Sequence, residues 1–304
     1  MTIQEQSVAF IKALESRRRK PPKPGTLQRY QSYLRTWIVP LCGAEDLANF
    51  DNGSMKKFVS SIAGELKPAS VCGIVNCLKG VIASATDANG NELYPRTWNA
   101  DFIDLPEVNP SDQSSPSIGR EALQEAISEA EGLFKPLYIT LAGTGLRISE
   151  CLALRAGLDD GKGSFWLPEQ GKLIIRDQVQ DGRSATPKTA AGTREVDIIP
   201  EISDTLRAIS GPTGKLFNMK RDNTYRTLKA DGVPGHHSLR RFRTTRLREV
   251  GTPEDILKFW IGHSANRDIT DRYSKLAQNT TLRKEWAKKA GLGFDILGSS
   301  VPVL

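Results

Sequence analysis

A stretch rich in proline and serine, residues 104–117, divides the chain into two unequal parts. Proline lacks an amide donor and fixes its own backbone angle, so this composition is typical of a linker. With 304 residues, the chain is long enough for two domains of ordinary size. The predicted segments are an arm of residues 1–25, a first domain of 26–105, a linker of 106–117, a second domain of 118–279, and a C-terminal helix and tail of 280–304.

Apolar residues recur every three or four positions through residues 26–85, as at Leu27, Tyr30 and Leu34. This period places the apolar side chains on one face of each helix. The pattern therefore predicts a small domain built only of helices.

Aromatic and β-branched residues are concentrated in three short runs of the second domain, Phe165–Leu167, Lys172–Ile175 and Glu195–Ile199. Such runs are typical of strands, and glycine and proline in residues 181–193 separate the last two. We predict a three-stranded sheet with a long hairpin loop, surrounded by helices. The predicted fold class is mainly α with a small antiparallel β-sheet.

The chain is basic, with a formal net charge of +7 and a calculated pI of about 9.2. This balance favours a polyanionic partner, either nucleic acid or an acidic membrane surface. No window approaches the roughly 20 apolar residues that a membrane span needs. The four cysteines form no Cys-x-x-Cys pair, so we expect neither a zinc site nor disulfides. A reducing cytoplasm fits these features.

Two places in the second domain hold basic side chains that could bind a phosphate. Arg147 follows a Gly143-Thr144-Gly145 turn, and Glu150 lies three residues later, where it can fix the arginine. The planar guanidinium matches two phosphate oxygens. His237 and Arg240 share one helix face, so one phosphate can meet both side chains. Each pattern is weak alone, since charged helix faces are common.

Basic residues elsewhere are candidates for contacts with DNA phosphates. The helix of Arg240 continues with further arginines. The DNA-binding candidates are Arg17, Arg18, Arg19, Lys20, Arg241 and Arg243. For the run Arg17–Lys20, a solvated arm is an equally good interpretation.

The order of the candidate residues along the chain is more specific than any one of them. After Arg147 come Pro187-Lys188-Thr189, His237-Ser238-Leu239-Arg240, Ile261-Gly262-His263 and Asp271-Arg272-Tyr273. Over residues 118–276 this order resembles the catalytic half of the tyrosine recombinases, the phage-integrase family of DNA strand-exchange enzymes. The first domain is similar, in a more generic way, to the helical core-binding domain that clamps DNA in that family.

The resemblance implies that the protein cuts and rejoins DNA through a covalent 3′-phosphotyrosyl intermediate, without ATP, metal or another cofactor. Tyr273 is the implied nucleophile, although it lies one residue further from His263 than is commonest in the family. The other implied roles are phosphate neutralisation by Arg147 and Arg240, general acid catalysis by Lys188, proton transfer or phosphate binding by His237 (with His236 as the alternative), hydrogen bonding to phosphate by His263, and orientation of Arg147 by Glu150.

The resemblance also implies partners. Family members act as tetramers on two paired sites, so we expect double-stranded DNA with specific recombination sites, a homotetramer, and no membrane. An accessory DNA-bending protein is compatible with this, as is association with the nucleoid. Residues 280–304 either pack in cis or dock on a neighbouring protomer, and docking on a neighbour is the expectation that we favour. The alternatives are a catalytically silent DNA-binding regulator of the same fold, a type IB topoisomerase-like enzyme, and a basic helical RNA-binding protein.

Overall fold

The chain forms two compact units, Met1–Ser114 and Ser115–Leu304, each with its own hydrophobic core. Every helix among the described residues is too short or too polar to span a lipid bilayer. The structure, a computed structural model, describes residues 1–109, 116–180, 182–185, 190–263 and 276–296.

The first unit is a bundle of short helices. Its helices are α1 (Ile3–Glu15), α2 (Pro24–Tyr33), α3 (Val39–Cys42), α4 (Asn52–Ala63), α5 (Pro68–Ala83) and α6 (Ala100–Ile103), with a π-helical turn at Leu34–Ile38 between α2 and α3. The core takes residues at helical spacing, such as Met55, Phe58 and Ile62 of α4. The predicted all-helical character is confirmed.

Most of the predicted N-terminal arm belongs to this bundle. Thr2 and Glu5 start α1 with reciprocal hydrogen bonds, Glu5 N to Thr2 Oγ1 at 3.2 Å and Thr2 N to Glu5 Oε2 at 2.8 Å. Ile3 is fully buried and Phe10 is nearly so, because the helix turns an apolar face to the core. The basic run Arg17–Lys20 is exposed in the connection to α2.

The second unit surrounds a small sheet with helices. Its helices are α7 (Arg120–Glu129), α8 (Phe134–Thr144), α9 (Ile148–Cys151), α10 (Pro200–Arg207), α11 (Arg221–Ala230), α12 (His236–Glu249), α13 (Glu254–Ile261) and α14 (Thr280–Ala290). Its strands are β1 (Arg155–Ala156), β2 (Phe165–Leu167), β3 (Lys172–Ile175), β4 (Gln178–Gln180), β5 (Arg183–Ala185), β6 (Arg194–Asp197) and β7 (Gly214–Lys215). The main sheet has the order β6-β3-β2-β1-β7, and β4 pairs with β5.

The main sheet has two strands more than the sequence predicts. β1 and β7 contain two residues each, too few for an alternating pattern to be visible. β1 runs parallel to β2 and antiparallel to β7, so the sheet is mixed. Two further strands, β4 and β5, pair between the predicted strands Lys172–Ile175 and Glu195–Ile199, and Gly182, at φ +76°, directly precedes β5. The mainly α class with a small sheet is confirmed.

The C-terminal helix α14 packs against its own unit. Ala287 and Ala290 are buried in the core that also contains Leu292 and Phe294. Near its other end, Arg283 is buried and joins α14 to β6.

Strand β6 supplies both acidic partners of Arg283. Its Nε donates to Asp197 Oδ2 at 2.6 Å, and its Nη2 donates to Glu195 Oε2 at 2.7 Å. The structure shows α14 packed on its own unit, where these buried charges are satisfied within the same chain. Docking of this segment on a neighbouring protomer stays a prediction. Residues 297–304 of the expected docking segment lie outside the described residues.

Replacing Arg283 with methionine should destabilise the protein by about 3–5 kcal/mol, because the Asp197 carboxylate stays buried after losing its cation. Urea unfolding measures this change. Lys284→Met, one residue away and exposed, is the matched control and should change stability by less than about 0.5 kcal/mol. Equal stability of the two variants would show that the buried pair does not hold α14.

Candidate active site

Arg147 is presented by a tight turn at the end of α8. Gly145 has φ +71°, and a Cβ there would lie 2.7 Å from Ile261 Cδ1 and 3.2 Å from Arg243 Cγ. Both the left-handed backbone and the close contacts require glycine. The chain then buries Leu146 and enters α9 directly after Arg147. The turn thus holds Arg147 in a fixed position with its side chain partly exposed.

Glu150 is the centre of the site. Its Oε2 accepts from the Arg147 backbone N at 2.9 Å, and its Oε1 accepts from Arg147 Nη1 at 2.8 Å. Arg194 reaches the same carboxylate from β6, with Nη1 to Oε1 at 3.1 Å and Nη2 to Oε2 at 3.0 Å. Burial acts to raise the pKa of Glu150, but Arg194 and Arg147 hold it below the usual value. The carboxylate therefore stays ionised and fixes both arginines.

The C-terminal end of α13 is the second anchor of the site. Arg194 Nε donates to Trp260 O at 2.7 Å, and Arg240 Nη2 donates to Ile261 O. Arg147 Nη2 makes a longer contact of 3.5 Å with Gly262 O. Gly262 has φ +65°, and a Cβ there would lie 2.8 Å from Arg194 Nη1, so only glycine fits. The structure thus brings Arg147 and Arg240 to the residues that directly precede His263.

Arg240 is a buried cation that forms no ion pair with any described carboxylate. It lies on α12, is 6% exposed, and donates from Nη1 to Gly145 O at 2.8 Å in addition to its bond to Ile261 O. In the part of the chain that the structure describes, no carboxylate pairs with it. Burial, with repulsion from Arg147, lowers the pKa of Arg240 to about 10, so it remains charged at neutral pH. A buried guanidinium that no carboxylate contacts directly is suited to bind an anion.

The adjacent histidines of α12 have different environments. His236 is buried, its Nε2 lies 3.0 Å from Thr224 Oγ1, and its ring packs beside Tyr225. His237 is exposed, one turn before Arg240. Burial, then repulsion from Arg240 and other arginines, lowers the pKa of His237 below its usual value. His237 is therefore the more accessible of the two imidazoles.

Three further candidates complete the predicted set. His263 is exposed directly after Gly262, and partial desolvation, then repulsion from Arg240 and Arg147, lowers its pKa. Lys188 and Tyr273 lie outside the described residues. Their roles remain predictions.

Two DNA-binding candidates on α12 differ in their surroundings. Arg241 Nη1 donates to Pro116 O at 2.7 Å on the surface. Arg243 is 4% exposed, and its Nη1 donates to Gly291 O at 2.5 Å. The prediction that Arg243 contacts DNA is therefore wrong, because its guanidinium is used to hold the segment after α14.

Arg194 is the site residue that the sequence analysis missed. It lies 44 residues from Glu150, so no local spacing reveals the pair. The sequence did contain one signal. Arg194 and the buried Val196 are two residues apart in a short strand, so they lie on the same face of it. An arginine on the inner face of a strand needs a buried acid, and this reasoning would have pointed to a partner.

The fold agrees with the resemblance, since it is shared with solved integrase structures. No protein-family model matches the sequence, and no curated protein matches it. Among solved structures, the chain is similar to the Tn1549 transposon integrase in complex with transposon right-end DNA, with a TM-score of 0.64 at 17% identity over 92% of this chain and 99% of the other. It is also similar to a lambda integrase tetramer bound to a Holliday junction, with a TM-score of 0.62 at 16% identity over 88% and 80% of the two chains. At these identities the likeness establishes the fold.

A double-mutant cycle tests the pairing of Arg194 with Glu150. Arg194→Met should cost about 3–5 kcal/mol of stability in urea unfolding, because a buried carboxylate loses a partner. The double variant, Arg194→Met with Glu150→Met, should lose less unfolding free energy than the two single variants lose together. The difference, the coupling energy of the pair, should be about 0.5–3 kcal/mol.

The matched control is Arg207→Met, which breaks an exposed pair with Asp204 and should cost less than about 1 kcal/mol. Additive losses for Arg194 and Glu150 would contradict the arrangement.

The three histidines of the chain should all titrate below their usual range, with His236 lowest, at a pKa of about 4. Below pH 6.5, His236 binds a proton in the unfolded state but stays neutral in the folded state. The free energy of unfolding therefore falls as the pH falls from 6.5 to about 4. NMR titration of the imidazole signals measures each pKa, with His236→Gln giving the assignment. A His236 pKa at or above 6.5 would contradict its burial in neutral form.

Proposed function

We propose that this protein is a site-specific DNA recombinase that cuts and rejoins DNA through a covalent tyrosine link. The observation that carries the proposal is the pair Arg147 and Arg240, both held at the end of α13 beside His263. Arg240 is buried and forms no ion pair with a described carboxylate. A phosphodiester is an anion that two guanidinium groups and imidazole donors can surround.

The proposed reaction exchanges one phosphodiester for another. The Tyr273 oxygen attacks the scissile phosphorus in line, forming the tyrosyl O–P bond as the bond to the 5′-oxygen breaks. The phenol proton is removed, and Lys188 gives a proton to the departing 5′-oxygen as general acid. The 3′-phosphotyrosyl link keeps the bond energy, so attack by another 5′-hydroxyl reverses the same steps.

The arginines stabilise the charge that develops on the non-bridging oxygens. Arg147 is fixed by Glu150, and Arg240 by two backbone carbonyls, so both cations are in position before DNA binds. Charges positioned in advance cost no reorganisation during the reaction.

His237 is suited to receive the phenol proton. Its lowered pKa leaves the imidazole neutral at pH 7, so a ring nitrogen is available as an acceptor. His263, next to the end of α13, donates a hydrogen bond to the phosphate in this scheme. Glu150 acts through Arg147 as a positioning residue.

The proposed partner is double-stranded DNA with specific recombination sites. The net charge of +7 and the exposed run Arg17–Lys20 favour binding to a polyanion. We propose assembly as a homotetramer on paired sites and association with the nucleoid, with an accessory DNA-bending protein at some sites. A lambda integrase forms a tetramer on a Holliday junction, which supports this form of assembly for the fold.

Covalent protein–DNA adducts test the function and identify the DNA site in one experiment. Cells expressing wild-type protein should yield adducts whose DNA ends, once sequenced, share a site, and Tyr273→Phe should yield at least a hundredfold fewer, because the phenylalanine lacks a nucleophile. Tyr225→Phe is the matched control, an exposed tyrosine on α11, and should leave the adducts unchanged.

Each other result points to a different function. Adducts in both variants would assign another nucleophile. Adducts at unrelated sequences, with relaxation of supercoils by the monomer, would indicate a type IB topoisomerase-like enzyme. Sequence-specific DNA binding with no adduct would indicate a silent regulator of the same fold, and retention of RNA alone would overturn the DNA function.

A further inference from the structure

A pocket of about 170 Å³ lies on one side of Arg147. Arg147 and Ser149 line it from the start of α9, Gln178 from β4, Arg221 from the start of α11, and His237 from the start of α12. None of the described residues that line it is acidic. Arg240 and His263 do not line it, so this pocket is separate from the end of α13, although it shares Arg147 and His237 with the site there.

Arg221 gives this pocket a cation that the candidate active site does not use. It is the first residue of α11 and is exposed. Its guanidinium has no hydrogen bond or ion pair among the described residues, in contrast to Arg194 and Arg283, which are fully paired. Its charge acts on His236 and His237, lowering the pKa of both, so it lies close to the pocket's histidines.

Strand β4, which forms one side of the pocket, relates the pocket to the leaving 5′-oxygen of the proposed reaction. β4 pairs with β5, and Lys188 follows the end of β5 by three residues in the sequence. Lys188 itself lies outside the described residues, so its order in the sequence is what relates it to β4. If it protonates the departing 5′-oxygen, we expect the DNA strand beyond that oxygen to run toward β4 and to bring its next phosphate to the pocket.

We propose that this pocket binds a second backbone phosphate, the one next to the scissile phosphate on the 5′-hydroxyl side, with Arg221 as its principal ligand. The inference rests on the proposed function. Arg147 and His237 then lie between two consecutive phosphates, and Arg221 holds the released strand in place until it is rejoined. Because none of the described lining residues is acidic, the pocket favours an anion over a cationic or neutral group.

The test uses duplex DNA carrying the site recovered from the adducts, with one phosphate replaced by an uncharged methylphosphonate. On natural DNA, Arg221→Gln should lower the rate of adduct formation at limiting protein on the order of tenfold, as expected for one lost charge-assisted contact. With the methylphosphonate at the neighbouring position, wild type and Arg221→Gln should react equally. Arg226→Gln, an exposed arginine of the same helix, is the matched control and should behave as wild type on both.

Three results would overturn the proposal. Equal rates for Arg221→Gln and wild type on natural DNA would show that Arg221 binds no phosphate. A tenfold loss that persists with the neighbouring methylphosphonate would show that Arg221 acts elsewhere. A loss that disappears only with a methylphosphonate at the scissile position would assign Arg221 to the scissile phosphate.

A separate measurement keeps this inference distinct from the proposed function. If the wild type forms no adduct, the recombinase function fails, and the pocket is tested by the salt dependence of binding to a mixed-sequence duplex. A phosphate contact of Arg221 predicts that Arg221→Gln lowers the slope of log K against log salt by about one, with no change for Arg226→Gln. Equal slopes for wild type and Arg221→Gln would overturn the phosphate site.

Discussion

The carboxylate of Glu150 is the interaction on which the site depends. It is buried between Arg147 and Arg194, and it accepts two hydrogen bonds from Arg147 and two from Arg194. Through Arg194 the same carboxylate is connected to the end of α13, where Arg240 is also anchored. A local pair at the start of α9 thus fixes the relative positions of three segments that are far apart in the sequence. Removing one charge would leave others buried and unpaired.

The site has more positive charge than its acidic residues balance. Among the described residues, Glu150 is shared by two arginines, and Arg240 donates to two backbone carbonyls and to no carboxylate. Burial, and then repulsion from the surrounding arginines, lowers the pKa of both exposed histidines. Such a site repels further cations and gains stability from a bound anion. A phosphodiester satisfies that demand, and the neutral imidazoles remain able to accept or donate a proton.

The sequence predicted the local parts of this arrangement and missed the distant ones. The glycine turn before Arg147 and its pairing with Glu150 follow from spacing alone. The role of Arg194 depends on a contact between a strand and a helix, which no short motif contains. Arg243 was misassigned for the same reason: its burial comes from the segment after α14, and charge alone indicates exposure. The two-residue strands β1 and β7 are too short to produce a pattern.

Identification of the residue that carries DNA after cleavage tests the central claim most directly. Trypsin cuts after Arg272 and Lys275, so the nucleophile proposed here lies in the peptide Tyr273-Ser274-Lys275. Adducts isolated from wild-type protein, digested with nuclease and trypsin, should give this peptide with a nucleotide linked through its 3′-phosphate to Tyr273 in mass spectra. A nucleotide on any other peptide, or adducts with a 5′-phosphate link, would contradict the account.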